Sequence, residues 1–451
     1  MNKKTFHLVS LGCAKNDVDA DSMAQLLERE GFRSMDAPQK ASLLIVNTCG
    51  FISQARQESY SELHRLAELK RPDQLLIAAG CLTQRYGEDV ARQVPGVDGI
   101  LGTRRWMDIV QVVRSLRSAQ NSQKGTGVRP EPVYHLPDST TIGTDEQGVL
   151  RARVAGSSAY LKIADGCRRP CAFCAIPLIK GTAISRPMET IVNEARLLRD
   201  AGVKELVLIA QDTTDYGHDL GYQDGLALLL ENLTKSVPEM DWLRIMYAFP
   251  GYVTDRLIDV MASHPQVLPY LDIPLQHASP SVLTHMRRPA NINWVYDTIG
   301  KMRSKIPHLA IRTTFIVGYP GETEKDFQAL LDFVERMRFD RAGAFQFSFE
   351  PGTTSEALGD PIPAALKEKR FNQLMELQQG ISLQINQSFV GKTLDILIEG
   401  QNDGIAIGRS YRDAPEIDGM VFVEGAVETG ALIPVKITGA MAYDLTGIPA
   451  V

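Results

Sequence analysis

Cysteine is scarce in this chain, six in 451 residues, and no apolar run approaches the roughly 18 residues that a membrane span needs. No membrane partner is expected. The opening MNKKTFHLVSLGC passes from two lysines straight into a strand-like run, so the expected location is cytoplasmic. Thiols stay reduced there, which argues against a disulfide framework and for metal-binding or catalytic cysteines. Cationic charge is also short. The formal net charge of -6 gives no support to bulk nucleic-acid binding and leaves only a local basic patch open. Solenoid-length repeats are absent, and one polar stretch is the only low-complexity feature.

What is present is ordinary globular composition, 44% apolar and 23% charged, at a length that suits two to four domains. Three cysteines each end a β-rich run: FHLVSLGC at Cys13, SLLIVNTC at Cys49 and LLIAAGC at Cys81. Helix-like segments lie between them, at Val18 to Glu30 and Ser53 to Leu69, with apolar residues on one face. Repeated β-Cys-α predicts a parallel sheet with right-handed crossovers. Such sheets carry their sites beyond the carboxyl ends of the strands, so three cysteines 36 and 32 residues apart are expected to converge on one crevice.

Residues Arg117 to Gly148 are polar and rich in Gly, Pro, Ser and Thr, as in a linker. From Ala159 six β-like runs alternate with helix-length segments, among them Met188 to Ala201 and Glu324 to Arg338, predicting an incomplete (β/α) barrel. Lys367 to Phe389 reads as a long helix leading out of it. After Gly391, short strands with Gly-rich turns and no helices predict a small β-barrel.

The stretch DGCRRPCAFCAIPLIKG holds Cys167, Cys171 and Cys174 in C-x3-C-x2-C spacing. A structural zinc site or an ordinary iron-sulfur cluster wants four ligands, yet no fourth cysteine is near and no histidine lies between Cys167 and Arg186. Three thiolates on a cubane leave one iron open to a substrate or cofactor. Arg168, Arg169 and Lys180 beside them either form a solvated face or offset the charge of an anionic cluster.

With Phe173 just before the last cysteine, this spacing resembles the signature of the radical S-adenosylmethionine (SAM) enzymes. The resemblance implies a 4Fe-4S cluster whose open iron binds SAM and whose reduction yields a 5'-deoxyadenosyl radical. It also implies SAM contacts at strand ends: Gln211, Asp212 and Thr213 toward the amino group, Gln276 toward the ribose, and Ile316 and Gly318 of FIVGYPGET beside the adenine. Adding SLGCAKN, NTCGF and AGCLTQR upstream and a β-barrel downstream, nearly the whole chain looks like the methylthiotransferase family. That implies a second 4Fe-4S cluster on Cys13, Cys49 and Cys81, with an open iron that delivers sulfur. One SAM would supply the methyl group and another the radical.

The expected architecture is α/β: a flavodoxin-like parallel α/β domain over 1–120, a linker over 121–152, a partial (β/α)6 TIM-like radical SAM barrel over 153–383, and a small all-β TRAM barrel over 384–451. The family divides by substrate. PLQHASPSVLTHMRRP and LIAQDTTDYG resemble the branch that modifies an aspartate of small-subunit ribosomal protein twelve, free or in the ribosome. From Val390 onward nine acids face only four bases, so the terminal barrel would repel phosphate and attract a basic protein. Direct RNA binding is less expected, and the resemblance implies an electron donor such as flavodoxin. The competing readings are a tRNA methylthiotransferase acting on N6-isopentenyl- or threonylcarbamoyl-adenosine, and a non-catalytic iron-sulfur or zinc scaffold.

Overall fold

The computed structural model describes residues 4–122, 131–139 and 148–450. The chain forms two compact units. The first comprises Met1–Arg153, Ala164–Arg169 and Cys174–Pro187; the second comprises Val154–Ile163, Pro170–Phe173 and Met188–Val451.

The first unit is built on β1 (Thr5–Ser10), α1 (Ala14–Arg29), β2 (Arg33–Ser34), β3 (Leu43–Thr48), α2 (Ser53–Leu69), β4 (Leu75–Gly80), α3 (Cys81–Gln93), β5 (Gly99–Gly102), α4 (Ile109–Ser122) and β6 (Val133–His135). Its six strands are all parallel, in the order β2-β1-β3-β4-β5-β6. LLIVNT and LLIAAG are buried at every position because helices cover both faces of the sheet. Met23, Leu27 and Val112 of α1 and α4 pack on one face with Trp106, while Leu63, Leu66 and Val90 of α2 and α3 pack on the other.

The polar stretch departs from a plain linker. Residues 123–130 and 140–147 of it lie outside the described residues. Its first residues finish α4, whose buried stripe of Val112, Val113 and Leu116 outweighs the polar RSAQNS end. Val133–His135 adds the sixth strand, and Ser22 and Gln25 hold the Leu150 carbonyl at 3.1 and 3.0 Å.

The chain continues through β7 (Ala152–Ala155), β8 (Ser158–Lys162), β9 (Ala164–Asp165), α5 (Ile176–Lys180) and β10 (Ile184–Ser185). Strands β9 and β10 pair antiparallel within the first unit. The second unit then alternates α6 (Met188–Asp200), β11 (Glu205–Ile209), α7 (Gly225–Ser236), β12 (Trp242–Ile245), α8 (Asp255–Ser263), β13 (Val267–Asp272), α9 (Pro280–His285), α10 (Ile292–Lys305), β14 (Ala310–Val317), α11 (Glu324–Met337), β15 (Arg341–Gln346) and α12 (Ala364–Gln387). Its sheet runs β15-β14-β13-β12-β11-β8-β7, with β8 and β11 to β15 parallel, which is the expected six-unit open barrel. The terminal strands β16 (Thr393–Asn402), β17 (Ile405–Arg409), β18 (Val421–Glu424), β19 (Leu432–Ala440) and β20 (Leu445–Pro449) close into a barrel around Ile396, Val423 and Val435.

Buried charge, not apolar packing alone, joins this terminal barrel to the open one. Glu205 at the start of β11 accepts from Ser158 of β8 (2.8 Å), Arg244 of β12 (2.6 Å) and Arg409 of β17 (2.6 Å). Asp418 accepts from Tyr270 (2.7 Å) and Arg312 (3.2 Å), and Asp413 from Arg341 (2.6 Å). The loop between β17 and β18 is therefore bonded to β13, β14 and β15 through Asp418 and Asp413. The carboxyl ends stay available for chemistry. Among the described residues no helix is long and apolar enough to cross a membrane.

Candidate functional site

Adjacent strands β1, β3 and β4 deliver Cys13, Cys49 and Cys81 to one edge of the first unit's sheet. Cys13 is the extended residue that caps α1, and Cys81 opens α3, so both stand at the positive end of a helix. Cys49 is fixed by a reciprocal pair with Ser59: its N–H donates to Oγ at 2.9 Å and its carbonyl accepts at 3.1 Å. None of the six cysteines is in a disulfide.

Glycines beside the cysteines let these strand ends close up. A Cβ on Gly12, where φ is +105°, would stand 3.0 Å from Cys49 Sγ, and one on Gly50 would stand 2.7 Å from Leu82 N. Asn16 ties the ends together. Its Nδ2 donates to the carbonyls of Leu11 (2.8 Å) and Thr48 (2.9 Å), and Cys81 Sγ lies 3.5 Å from its Oδ1. The sequence shows Asn16 inside SLGCAKN, but only the fold reveals that it spans three strand ends.

Burial pushes the Cys49 thiol up and the Cys81 thiol up to about 12, Lys180 pulling Cys81 only part of the way back. Reactive thiols are usually depressed instead, so these are poor free nucleophiles. A bound metal deprotonates a thiol outright, and the donor set suits one. Among the described residues no three His, Cys, Asp or Glu side chains meet at the spacing of a single ion's ligands. A cubane sets a looser requirement, since each thiolate binds a different iron.

The second trio lies on the chain that follows β8. Cys167 N donates to Gly181 O at 3.0 Å, and a Cβ on Gly166, where φ is +76°, would stand 2.0 Å from Thr182 O, so this turn admits only glycine. Cys171 belongs to the second unit, where Arg288 Nη1 lies 3.5 Å from its sulfur while the same guanidinium stacks 4.0 Å from the Phe249 ring centre. The reading of Arg169 and Lys180 as a solvated face is overturned: they are 6% and 5% exposed, and only Arg168 is exposed. Lys180 is buried because two carboxylates hold it, Asp19 at 2.7 Å and Asp165 at 3.1 Å.

The residues expected near SAM lie along the carboxyl ends of β11, β13 and β14. Phe173 and Ile316 pack in one cluster with Met286, Tyr319 and Phe347. Gln276 sits in left-handed backbone (φ +73°), and its carbonyl accepts from Ile316 N at 2.7 Å. Gly318 is also left-handed, and Glu322 Oε2 holds its amide at 2.7 Å. Asp212 and Thr213 are buried and occupied, Asp212 capping Thr214 N at 3.0 Å and Thr213 Oγ1 donating to Met246 O at 2.7 Å. Gln211 is half-buried at the same strand end. Tyr247, after β12, is a third left-handed strand-end residue (φ +61°), and its N–H reaches Asp272 at 3.1 Å. Non-glycine residues in this conformation cluster at sites that need an unusual backbone. Nothing in MYAFP marks Tyr247 beforehand.

His277 follows Gln276 and is 1% exposed. Its Nδ1 accepts from Ser279 N at 2.9 Å, which leaves the neutral ring's proton on Nε2, 3.7 Å from Glu322. Burial lowers its pKa from 6.5 to about 4. Unfolding lets it take up a proton at any pH between those values, so this residue's stabilising effect is full above 6.5 and declines as pH falls toward 4. Urea midpoints across that range should fall more steeply for the native protein than for His277→Gln. Parallel curves would show that His277 does not titrate on unfolding.

Three segments of the chain match known families. Residues 5–102 match the uncharacterized protein family UPF0004, residues 161–334 the radical SAM superfamily, and residues 390–449 the TRAM domain. Among curated relatives, one from Chloroflexus aurantiacus is 46% identical over 98% of this chain and 99% of its own length. Another from a Roseiflexus species is 44% identical over 98% and 96%. Both are named ribosomal protein uS12 methylthiotransferase RimO. The radical SAM methyltransferase TsrM from Kitasatospora setae shares the fold, with a TM-score of 0.56 at 14% identity over 89% of this chain and 81% of that one. Identity of this order along almost the full length decides membership: the chain belongs to the RimO family of radical SAM methylthiotransferases.

Proposed function

We propose that this enzyme converts a C–H bond on the β-carbon of an aspartate in ribosomal protein uS12 into C–S–CH3. The observation that carries the reading is the division of all six cysteines into two sets of three, one at the ends of β1, β3 and β4 and one in C-x3-C-x2-C spacing. When bound, two 4Fe-4S clusters and SAM supply the radical, the sulfur and the methyl group. Cys167, Cys171 and Cys174 would hold the cluster that binds SAM, and Cys13, Cys49 and Cys81 the one that delivers sulfur. Phe173, Gln211, Asp212, Thr213, Gln276, Ile316 and Gly318 would position SAM. In this reading residues 1–120 serve sulfur delivery, 153–383 radical formation and 384–451 substrate docking. A flavodoxin-like donor supplies electrons in the cytoplasm.

The surface of the terminal barrel supports a basic protein as substrate. Both of its arginines, Arg409 and Arg412, turn inward to acids of the open barrel. Outside, Asp395, Asp403, Glu416, Glu424 and Glu428 are exposed against Lys392 and Lys436 alone. That face repels phosphate and attracts cations. Mass spectrometry after incubation of the reconstituted, reduced enzyme with SAM and either uS12 or tRNA tests the reading. Modification of tRNA alone would replace it with the RNA-directed alternative, and no SAM cleavage at all would leave a scaffold. Asp395→Lys with Glu424→Lys should raise the KM for uS12 about tenfold and weaken its salt dependence. An unchanged KM would return this surface to a solubility role.

A further inference from the structure

Four charged side chains are buried together inside the first unit, and no step of the proposed reaction uses them. Lys180, at the end of α5, donates to Asp19 Oδ2 of α1 at 2.7 Å and to Asp165 Oδ2 of β9 at 3.1 Å. Arg151 donates to the other oxygen of Asp19 at 2.7 Å, and its guanidinium stacks 4.3 Å from the Trp106 ring centre. All four are at most 5% exposed, and their charges balance. Carboxylates and cations are rarely buried unless they are paired, and removing one partner of such a set is costly.

Their arrangement concerns both cysteine sets. Helix α5 begins directly after Ala175, the residue that follows Cys174, and Ala175 and Ile179 pack against Cys81. Arg104 secures the far end of α5, donating to the carbonyls of Ile179 (3.0 Å) and Leu178 (2.9 Å). A five-residue helix with Leu178 exposed has little apolar surface of its own to hold it there. Lys180 supplies the fixed point: it ties α5 to the helix that Cys13 caps and to the strand just before Cys167.

We propose that Lys180, with Asp19 and Asp165, is a positioning residue for sulfur insertion, clamping α5 so that the chain leaving Cys174 keeps a fixed place against Cys81. The proposal rests on the functional reading above, because a fixed separation matters only if the two cysteine sets act on one substrate. It acts through geometry alone. Loosening the clamp should leave radical formation intact while fewer radicals end in a methylthiolated product.

The test uses the full-length, anaerobically reconstituted enzyme in two variants. Lys180→Met removes the cation and leaves the Asp165 carboxylate without it, whereas Lys180→Met with Asp165→Asn keeps the buried charges balanced, Asp19 still facing Arg151. For the double variant the expected result is unchanged iron and sulfide content, SAM cleavage within about twofold of native, and a ratio of methylthiolated uS12 to 5'-deoxyadenosine at least tenfold lower. Amide hydrogen exchange in residues 175–187 should be at least tenfold faster, a change independent of turnover. A merely structural role would lower cleavage and product together and leave the ratio where it was. An unchanged ratio overturns the proposal, with or without faster exchange, and so does unchanged exchange. Should the native enzyme cleave SAM and leave uS12 unmodified, the functional reading falls instead, and the exchange measurement still decides whether Lys180 clamps α5.

Discussion

Cys49→Ala should stop methylthiolation of uS12, with a loss of at least about a hundredfold, while 5'-deoxyadenosine still forms; Cys174→Ala should stop both. Outer partners of metal ligands already cost ten- to a hundredfold when removed, so a ligand should cost at least as much. The asymmetry follows from where each residue sits. Cys49 directly follows β3 in the first unit and is held by Ser59, whereas Cys174 stands in the C-x3-C-x2-C stretch that follows β8. Chromatography of deoxyadenosine together with mass spectrometry of uS12 separates the two losses. Full modification by Cys49→Ala would remove sulfur delivery from the first set. Loss of iron from both sets in Cys174→Ala would show that they do not assemble independently.

Glu205→Gln should destabilise the second unit by about 3–5 kcal/mol, the usual result of removing one partner from a buried ion network. That is a large share of the roughly 5–15 kcal/mol that holds most domains folded. Glu205 is fully buried, and the glutamine would leave Arg244 and Arg409 facing each other without an anion. Burial alone would raise its pKa, but the two guanidiniums outweigh burial and hold it at about 2 against 4.5 in the unfolded chain. A depressed carboxylate stabilises fully above 4.5 and loses that effect as pH falls toward 2. Urea titrations at neutral pH should show the drop in midpoint, and the difference between native and Glu205→Gln should shrink on acidification below 4.5. A difference that stays constant would mean that Glu205 is not the charged hub.

Because Glu205 gathers β8, β12 and β17, its loss should loosen the terminal barrel and the open barrel together. The acidity of the terminal barrel thus has two origins that composition cannot separate. Asp413 and Asp418 neutralise arginines of the open barrel, whereas Asp395, Asp403 and Glu424 face solvent. Only the second group is available to a partner.

Much of the fold is local and so is legible in the sequence. SLLIVNTC and LLIAAGC are apolar at successive positions because both faces of a parallel strand are covered, and α2 occupies the Ser53 to Leu69 stretch that its pattern predicts. The three-cysteine spacing after β8 is legible for the same reason, since neighbours along the chain need no fold to be neighbours. The end of α4 and the strand at Val133–His135 were not, because polar residues hide an element whose stability comes from packing on one side or from sheet pairing.

By itself, then, the sequence determined the order of the parts, the identity of the thiols and their division into sets of three. Tertiary structure alone decided which charges are buried. Lys180 and Arg169 look like surface residues in a run of basic letters, and only the approach of Asp19 and Asp165, 161 and 15 residues from Lys180, makes burial of the lysine tolerable. Burial of a charge depends on a partner brought from far along the chain, and no local pattern records that partner.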